Sequence, residues 1–250
     1  VENNMTYSTL MVHLELGRSN AALLQVAIDF AKRFDSAVIG IAGCQPMQAY
    51  YAEGYSGDMV EQERKGIDGE IAAAEAEFRS RAADLVLTGV ARGDAFDSSR
   101  AVNTGDLVLR VGRPVLVVPT AARELHLRQV LVGWKDTRES RRAIVDALPL
   151  LKQAERVTLG TIAAEEDLAV ARARLADVSH WLARHGVVAD QIAGPAIGDD
   201  ANALWALAQD VGADLIVAGA YGHSRLREWV LGGVTRNLLL SEDRYSLVSH

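Results

Sequence analysis

The stretch GAYGHSRLREWVLGG, residues 219–233, has glycines at both ends and follows directly on the apolar run ADLIVAG, residues 213–219. With no side chain in the way, glycine lets main-chain N–H groups close around an anion such as phosphate. A helix opening after Gly232 and Gly233, over VTRNLLL, would add the partial positive charge of its first turn. Ala218, Gly219, Gly222, Gly232 and Gly233 could so bracket a polyphosphate from two sides. The same glycines could equally shape a turn and cap a short helix, and spacing alone leaves both readings open.

A loop of this kind needs a strand before it and a helix after it, and the chain carries that arrangement in two related halves. ADLVLTG at 83–89 matches ADLIVAG at 213–219, at an offset of 130 residues. In the same order, TLMVHLE (9–15) matches QVLVGWK (129–135), AVIGIA (37–42) matches RVTLGTI (156–162), and RPVLVVP (113–119) matches RYSLVSH (244–250). The second half reads as strands at 129–134, 156–162, 187–193, 214–218 and 245–249, with helices at 137–153, 165–185, 200–211 and 234–240. Strict alternation of strands and helices demands a parallel sheet covered on both faces. In such sheets ligands bind beyond the carboxyl ends of the strands, where the strand order reverses. Gly219 stands at such an end.

The first half is shorter: Leu10 to Ala83 spans 73 positions, against 83 from Val130 to Ala213. It is expected to have lost or abbreviated one strand and helix. TAARELHLR, 120–128, reads as the linker. The strands RPVLVVP and DRYSLVSH are expected to pair with each other across a pseudo-twofold axis, which hides edges that would otherwise invite aggregation. A further homodimer stays open.

Composition narrows the function classes. Apolar residues make up 49% and charged residues 24%, enough for each half to bury a core. A net charge of −7 argues against a nucleic-acid or anionic-membrane surface, so phosphate binding should be local. The single cysteine, Cys44, cannot form an internal disulfide, and no Cys/His cluster has metal-ligand spacing. With no long apolar run and a polar start, VENNMTYS, a cytoplasmic protein is expected.

GAYG, nine residues and then Gly232 resembles the G-x-x-G-(nine residues)-G-[Ser/Thr] signature of universal stress proteins. QVLVGWKDTRESRRAI is similar to the first strand and helix of that family, and GDDANALWALAQDVGADLIVAG to its third helix and fourth strand. The resemblance implies an α/β protein of two tandem Rossmann-like domains of the adenine nucleotide alpha hydrolase type, with parallel five-stranded sheets, the first abbreviated. Residues 1–121 would be a shortened, degenerate domain and 122–250 the one with the phosphate loop.

By the same resemblance the second half binds ATP, with Mg²⁺, through Gly219, Gly222 and Gly232. Position 233 is glycine where the family has a hydroxyl residue, and Thr235, on the first turn of the next helix, could supply that hydroxyl. His223, Ser224 and Arg225 could add donors or charge, or could be solvated loop residues. Lys135 stands where the family's first strand ends in an aspartate. An ammonium cannot accept hydrogen bonds from ribose or adenine, but it can pair with phosphate. Asp136 could substitute after a one-residue shift, and reads more simply as a helix N-cap. In the first half Glu15 takes the aspartate position, Ala101-Val102 replace the final glycines, and Asp94, Asp97 and Asp106 would repel phosphate, so that loop reads as degenerate.

No catalytic set accompanies the loop. GxxxxGK[ST], HxGH and GxSxG are all missing from the sequence. Asp199 and Asp200 suit the first turn of the helix that follows them. The reading is a stress-response ATP-binding protein with at most slow hydrolysis. The alternatives are a nucleotide-independent adaptor for protein partners, or a binder of another small ligand with an aromatic pocket around Trp134 or Tyr221.

Overall fold

A computed structural model describes residues 6–15, 19–42, 83–90, 104–122, 124–195, 200–220, 238–239 and 243–250 of the chain. In the first half these form β1 (Thr9–Leu14), α1 (Ala21–Phe34), β2 (Ala37–Ala42), β3 (Leu85–Gly89), α2 (Thr104–Val111) and β4 (Val115–Val118). The second half has β5 (Gln129–Gly133), α3 (Arg138–Leu151), β6 (Arg156–Ala163), α4 (Leu168–Arg184), β7 (Ala189–Pro195), α5 (Asp200–Asp210), β8 (Leu215–Gly219) and β9 (Tyr245–Ser249).

The apolar runs become strands because helices cover both faces of the sheet. Leu85, Val86 and Leu87 of β3 and Leu215, Ile216 and Val217 of β8 are all fully buried. α1 turns one stripe inward, with Leu23, Val26, Ala27, Phe30 and Phe34 buried at helical spacing. Lys32 and Arg33 complement its carboxyl end, where Asp35 closes the helix in the left-handed region at φ 53°.

The nine strands form one sheet in the order β2-β1-β3-β4-β9-β8-β5-β6-β7. Every neighbouring pair is parallel except β4 and β9, which run antiparallel with Val115 opposite Val248, Leu116 opposite Leu247 and Val117 opposite Ser246. The expected pairing of RPVLVVP with DRYSLVSH is therefore present, and it fuses the two halves into a single sheet. Five strands come from the second half. Four described strands come from the first, in the order that remains when the counterpart of β7 is left out.

The hydrophobic core on the α1/α3 face does not stop at the junction between the halves. One cluster joins Tyr7, Phe30, Phe34 and Leu116 to Ile144, Leu148, Val217 and Leu247. The Tyr7 hydroxyl donates to the Asp146 main-chain carbonyl on α3 over 2.6 Å, and burial, with the Asp146 charge, holds its pKa well above the ordinary value. The linker takes part as well: Leu125 and Leu127 are buried in this cluster, and Arg33 donates to the Leu125 carbonyl over 3.2 Å. A second cluster lies on the opposite face, around Val86, Val108, Leu204 and Ile216.

Several element boundaries shift by one to three residues from the sequence expectation. β7 begins at Ala189 rather than 187, because Val187 is still closing α4: it is buried and its N–H donates to the Leu182 carbonyl over 3.0 Å. Of the helix expected at 234–240, only residues 238–239 are described; they are helical and both leucines are buried.

Candidate functional site

In the second half the chain runs from β5 outward to β6 and β7, then returns to β8 on the other side of β5. The strand order thus reverses between β5 and β8, which lie side by side with Gly133 opposite Ala218. Ala218 and Gly219 close β8, and Lys135 follows two residues after Gly133, so three of the expected site residues meet at this one crevice. Gly222, His223, Gly232, Gly233 and Thr235 lie outside the described residues, as do Ser224, Arg225 and Tyr221.

Gly219 has a packing duty that the sequence reading did not contain. A Cβ at this position would stand 2.5 Å from the carbonyl carbon of Glu139 and 2.5 Å from the nitrogen of Ser140. The first turn of α3 therefore lies directly on the end of β8, at a distance only glycine permits. Beyond it the chain stays tied to β9: the Ala220 N–H donates to the Ser249 carbonyl over 2.8 Å, and His250 Nδ1 lies 3.2 Å from the Ala220 carbonyl.

The turn from β5 into α3 corrects the expected cap. Thr137 is the N-cap of α3, its Oγ1 accepting from the Ser140 N–H at 3.3 Å. Asp136 instead forms an ion pair with Arg141 and lies 4.0 Å from Arg174. The β-branched threonine suits the extended geometry at the cap, φ −127° and ψ 164°, and leaves the aspartate one residue too early to reach the first-turn donors. Lys135 is exposed; its carbonyl accepts from Thr137 N–H at 2.7 Å and its own N–H lies 3.4 Å from Ser140 Oγ. Lys135 stands three residues before the first residue of this 14-residue helix, whose first turn carries Glu139.

Trp134, a candidate pocket wall by sequence, is a core residue. It is 9% exposed, packs in the α1/α3-face cluster, and its indole N–H has no hydrogen-bond partner among the described residues. Among the described residues no group of three or more His, Cys, Asp or Glu is placed to hold a metal ion, and no helix is long and apolar enough to cross a membrane.

His13, on β1, escaped the sequence reading. It is 4% exposed, its Nδ1 lies 3.2 Å from Thr88 Oγ1, and its Nε2 has no hydrogen-bond partner among the described residues. In the second half the equivalent positions are Gly133 and Ala218, and Leu204 of α5 comes within 3.1 Å of where a Gly133 Cβ would sit. The signal available in TLMVHLE was a titratable side chain inside an otherwise apolar strand.

Burial lowers the His13 pKa. The unfolded chain, with a value of about 6.5, therefore binds more protons between the two values. Stability due to neutral His13 is complete above about pH 6.5 and is lost as the pH falls through the folded value. Urea midpoints at about pH 7.5 and about pH 5 are expected to differ less in His13→Leu than in the wild type. An undiminished difference would exclude this role for His13.

No protein-family model matches the chain, and no curated protein matches it. Among solved structures, a universal stress protein from Archaeoglobus fulgidus DSM 4304 superposes with a TM-score of 0.67 at 14% identity, over 97% of this chain and 98% of that one. A functionally unknown protein from Pseudomonas aeruginosa PAO1 superposes with a TM-score of 0.60 at 16% identity, over 97% of this chain and 92% of that one. At these identities it is the fold that is shared, and over nearly its whole length this chain has the fold of a universal stress protein.

Proposed function

We propose that the protein is a tandem universal stress protein, divided near residues 121 and 122, whose second half binds ATP with Mg²⁺. The observation that carries this reading is the meeting of Gly219 and Lys135 at the reversal point between β5 and β8, beside the N-terminus of α3. The retained glycines at 222 and 232 supply the rest of the loop in sequence. With Lys135 at the strand end and Asp136 committed to arginine, the site holds its ligand chiefly by phosphate, not by ribose. Hydrolysis, if any, is slow, and the setting is the cytoplasm.

Equilibrium dialysis with ATP and Mg²⁺ tests it on the wild type, Lys135→Glu and Gly222→Val. Saturable binding is expected in the wild type, weakened about tenfold or more in both variants, the scale of one charge-assisted contact. No binding in the wild type, or equal binding in all three, would refute it.

The missing strand-end carboxylate favours a second reading, a nucleotide-independent adaptor. It predicts that partner capture from stressed cells is unchanged by ATP, and a large ATP-dependent rise in melting temperature would defeat it.

A further inference from the structure

A cleft of about 320 Å³ lies away from the crevice between β5 and β8, at the opposite, amino ends of β5 and β6. It is lined in part by Arg33 of α1, by His126 and Arg128 of the linker, and by Gln153 and Glu155 in the turn from α3 into β6. Both halves and the segment between them therefore contribute to it. Its volume falls at the lower end of the usual ~300–1,000 Å³ of small-molecule sites.

The main chain around this cleft is fixed at several points. Leu125 and Leu127 are buried and hold the linker down, which leaves His126 and Arg128 exposed between and beyond them. The Arg128 N–H donates to Asp214 Oδ2 over 2.9 Å, and the Glu155 N–H donates to the Leu127 carbonyl over 2.8 Å. Arg33 is already committed to Asp29, at 2.8 Å, and to the Leu125 carbonyl, and His126 Nε2 stands 3.7 Å from Glu124. The side chains of Arg128, Gln153 and Glu155 are different: they are exposed, and none makes a hydrogen bond or ion pair among the described residues. Arg128 and Glu155 thus bring opposite charges to one cleft without pairing with each other. A ligand with a negative charge alone would gain Arg128 and oppose Glu155, and a simple cation would do the reverse. Only a molecule carrying both charges gains from both walls.

We propose that this cleft binds a small zwitterion, a free amino acid, at the junction of the two halves. Its carboxylate meets the Arg128 guanidinium, whose planar fork suits two parallel hydrogen bonds, and its ammonium meets the Glu155 carboxylate. Gln153 can both donate to and accept from a polar side chain. The site is separate from the second-half crevice and does not depend on ATP binding there.

Calorimetric titration with L-glutamine tests the assignment on the wild type, Arg128→Gln and Glu155→Gln. N-acetyl-L-glutamine, which lacks the ammonium, and L-glutamine methyl ester, which lacks the carboxylate, serve as singly charged probes. L-glutamine should bind the wild type saturably and bind each variant about fivefold or more weakly, the scale of one exposed charge pair. Both substitutions replace exposed side chains without partners, so the melting temperatures of the free variants should match the wild type. Each singly charged probe should bind the wild type less tightly than L-glutamine does. No saturable L-glutamine binding, equal affinity in all three proteins, or a singly charged probe that binds as tightly as L-glutamine would overturn it.

Discussion

Phe30→Ala, a substitution in the first half, is expected to lower the unfolding midpoint of the second half by as much as that of its own. All four tryptophans, Trp134, Trp181, Trp205 and Trp229, belong to the second half, so their fluorescence reports on that half alone. Phe30 is fully buried on α1, and the cluster it belongs to continues without a break into α3 and β9. Truncating a buried phenylalanine costs about 3–5 kcal/mol. At roughly 2–4 °C per kcal/mol for a chain of this size, the melting temperature should fall by roughly 6–20 °C. Fluorescence and far-UV circular dichroism should move together. A fluorescence midpoint that stays put while the dichroism splits into two steps would show the halves to be independent, despite the pairing of Leu116 with Leu247 and the Tyr7 bond to α3.

Gly219→Ala should be the most damaging single methyl group that can be added to the crevice. Overpacking usually costs about 1–3 kcal/mol, because a neighbouring side chain can move aside. Here the obstructing atoms are the Glu139 and Ser140 main chain, each 2.5 Å from the new carbon, so α3 itself has to shift. The urea midpoint should reveal a loss at or above the top of that range. Gly40→Ala is the control: among the described residues its new carbon, on β2, meets only the Leu14 side chain at 3.6 Å, and stability should hardly change. If Gly219→Ala proves as stable as Gly40→Ala, the close approach is not a constraint and the glycine serves the loop alone.

The two expectations rest on different kinds of information. That β8 ends at a glycine was plain from ADLIVAG, since an apolar run closed by glycine is a local pattern. That this glycine lies under the first turn of α3 was hidden, because Glu139 and Ser140 are some 80 residues away in the chain (219 − 139 = 80). Asp136 was the cap expected from the sequence; the cap is Thr137 because the extended backbone at 137 aims its hydroxyl at the Ser140 N–H, while Asp136 is paired with Arg141. Trp134 looked like a pocket wall only while the side of the sheet it packs on was unknown.

Sequence by itself determined the alternation of strands and helices and the pairing of the first half's last strand with the last strand of the second. These follow from runs of apolar residues and from symmetry between two copies of one pattern, both of which are written along the chain. Tertiary structure alone decided that the core is continuous across the junction and that His13 is buried against Thr88. Each of those depends on which side chains the sheet register brings together from distant segments, and register is fixed by packing rather than by any local run of residues.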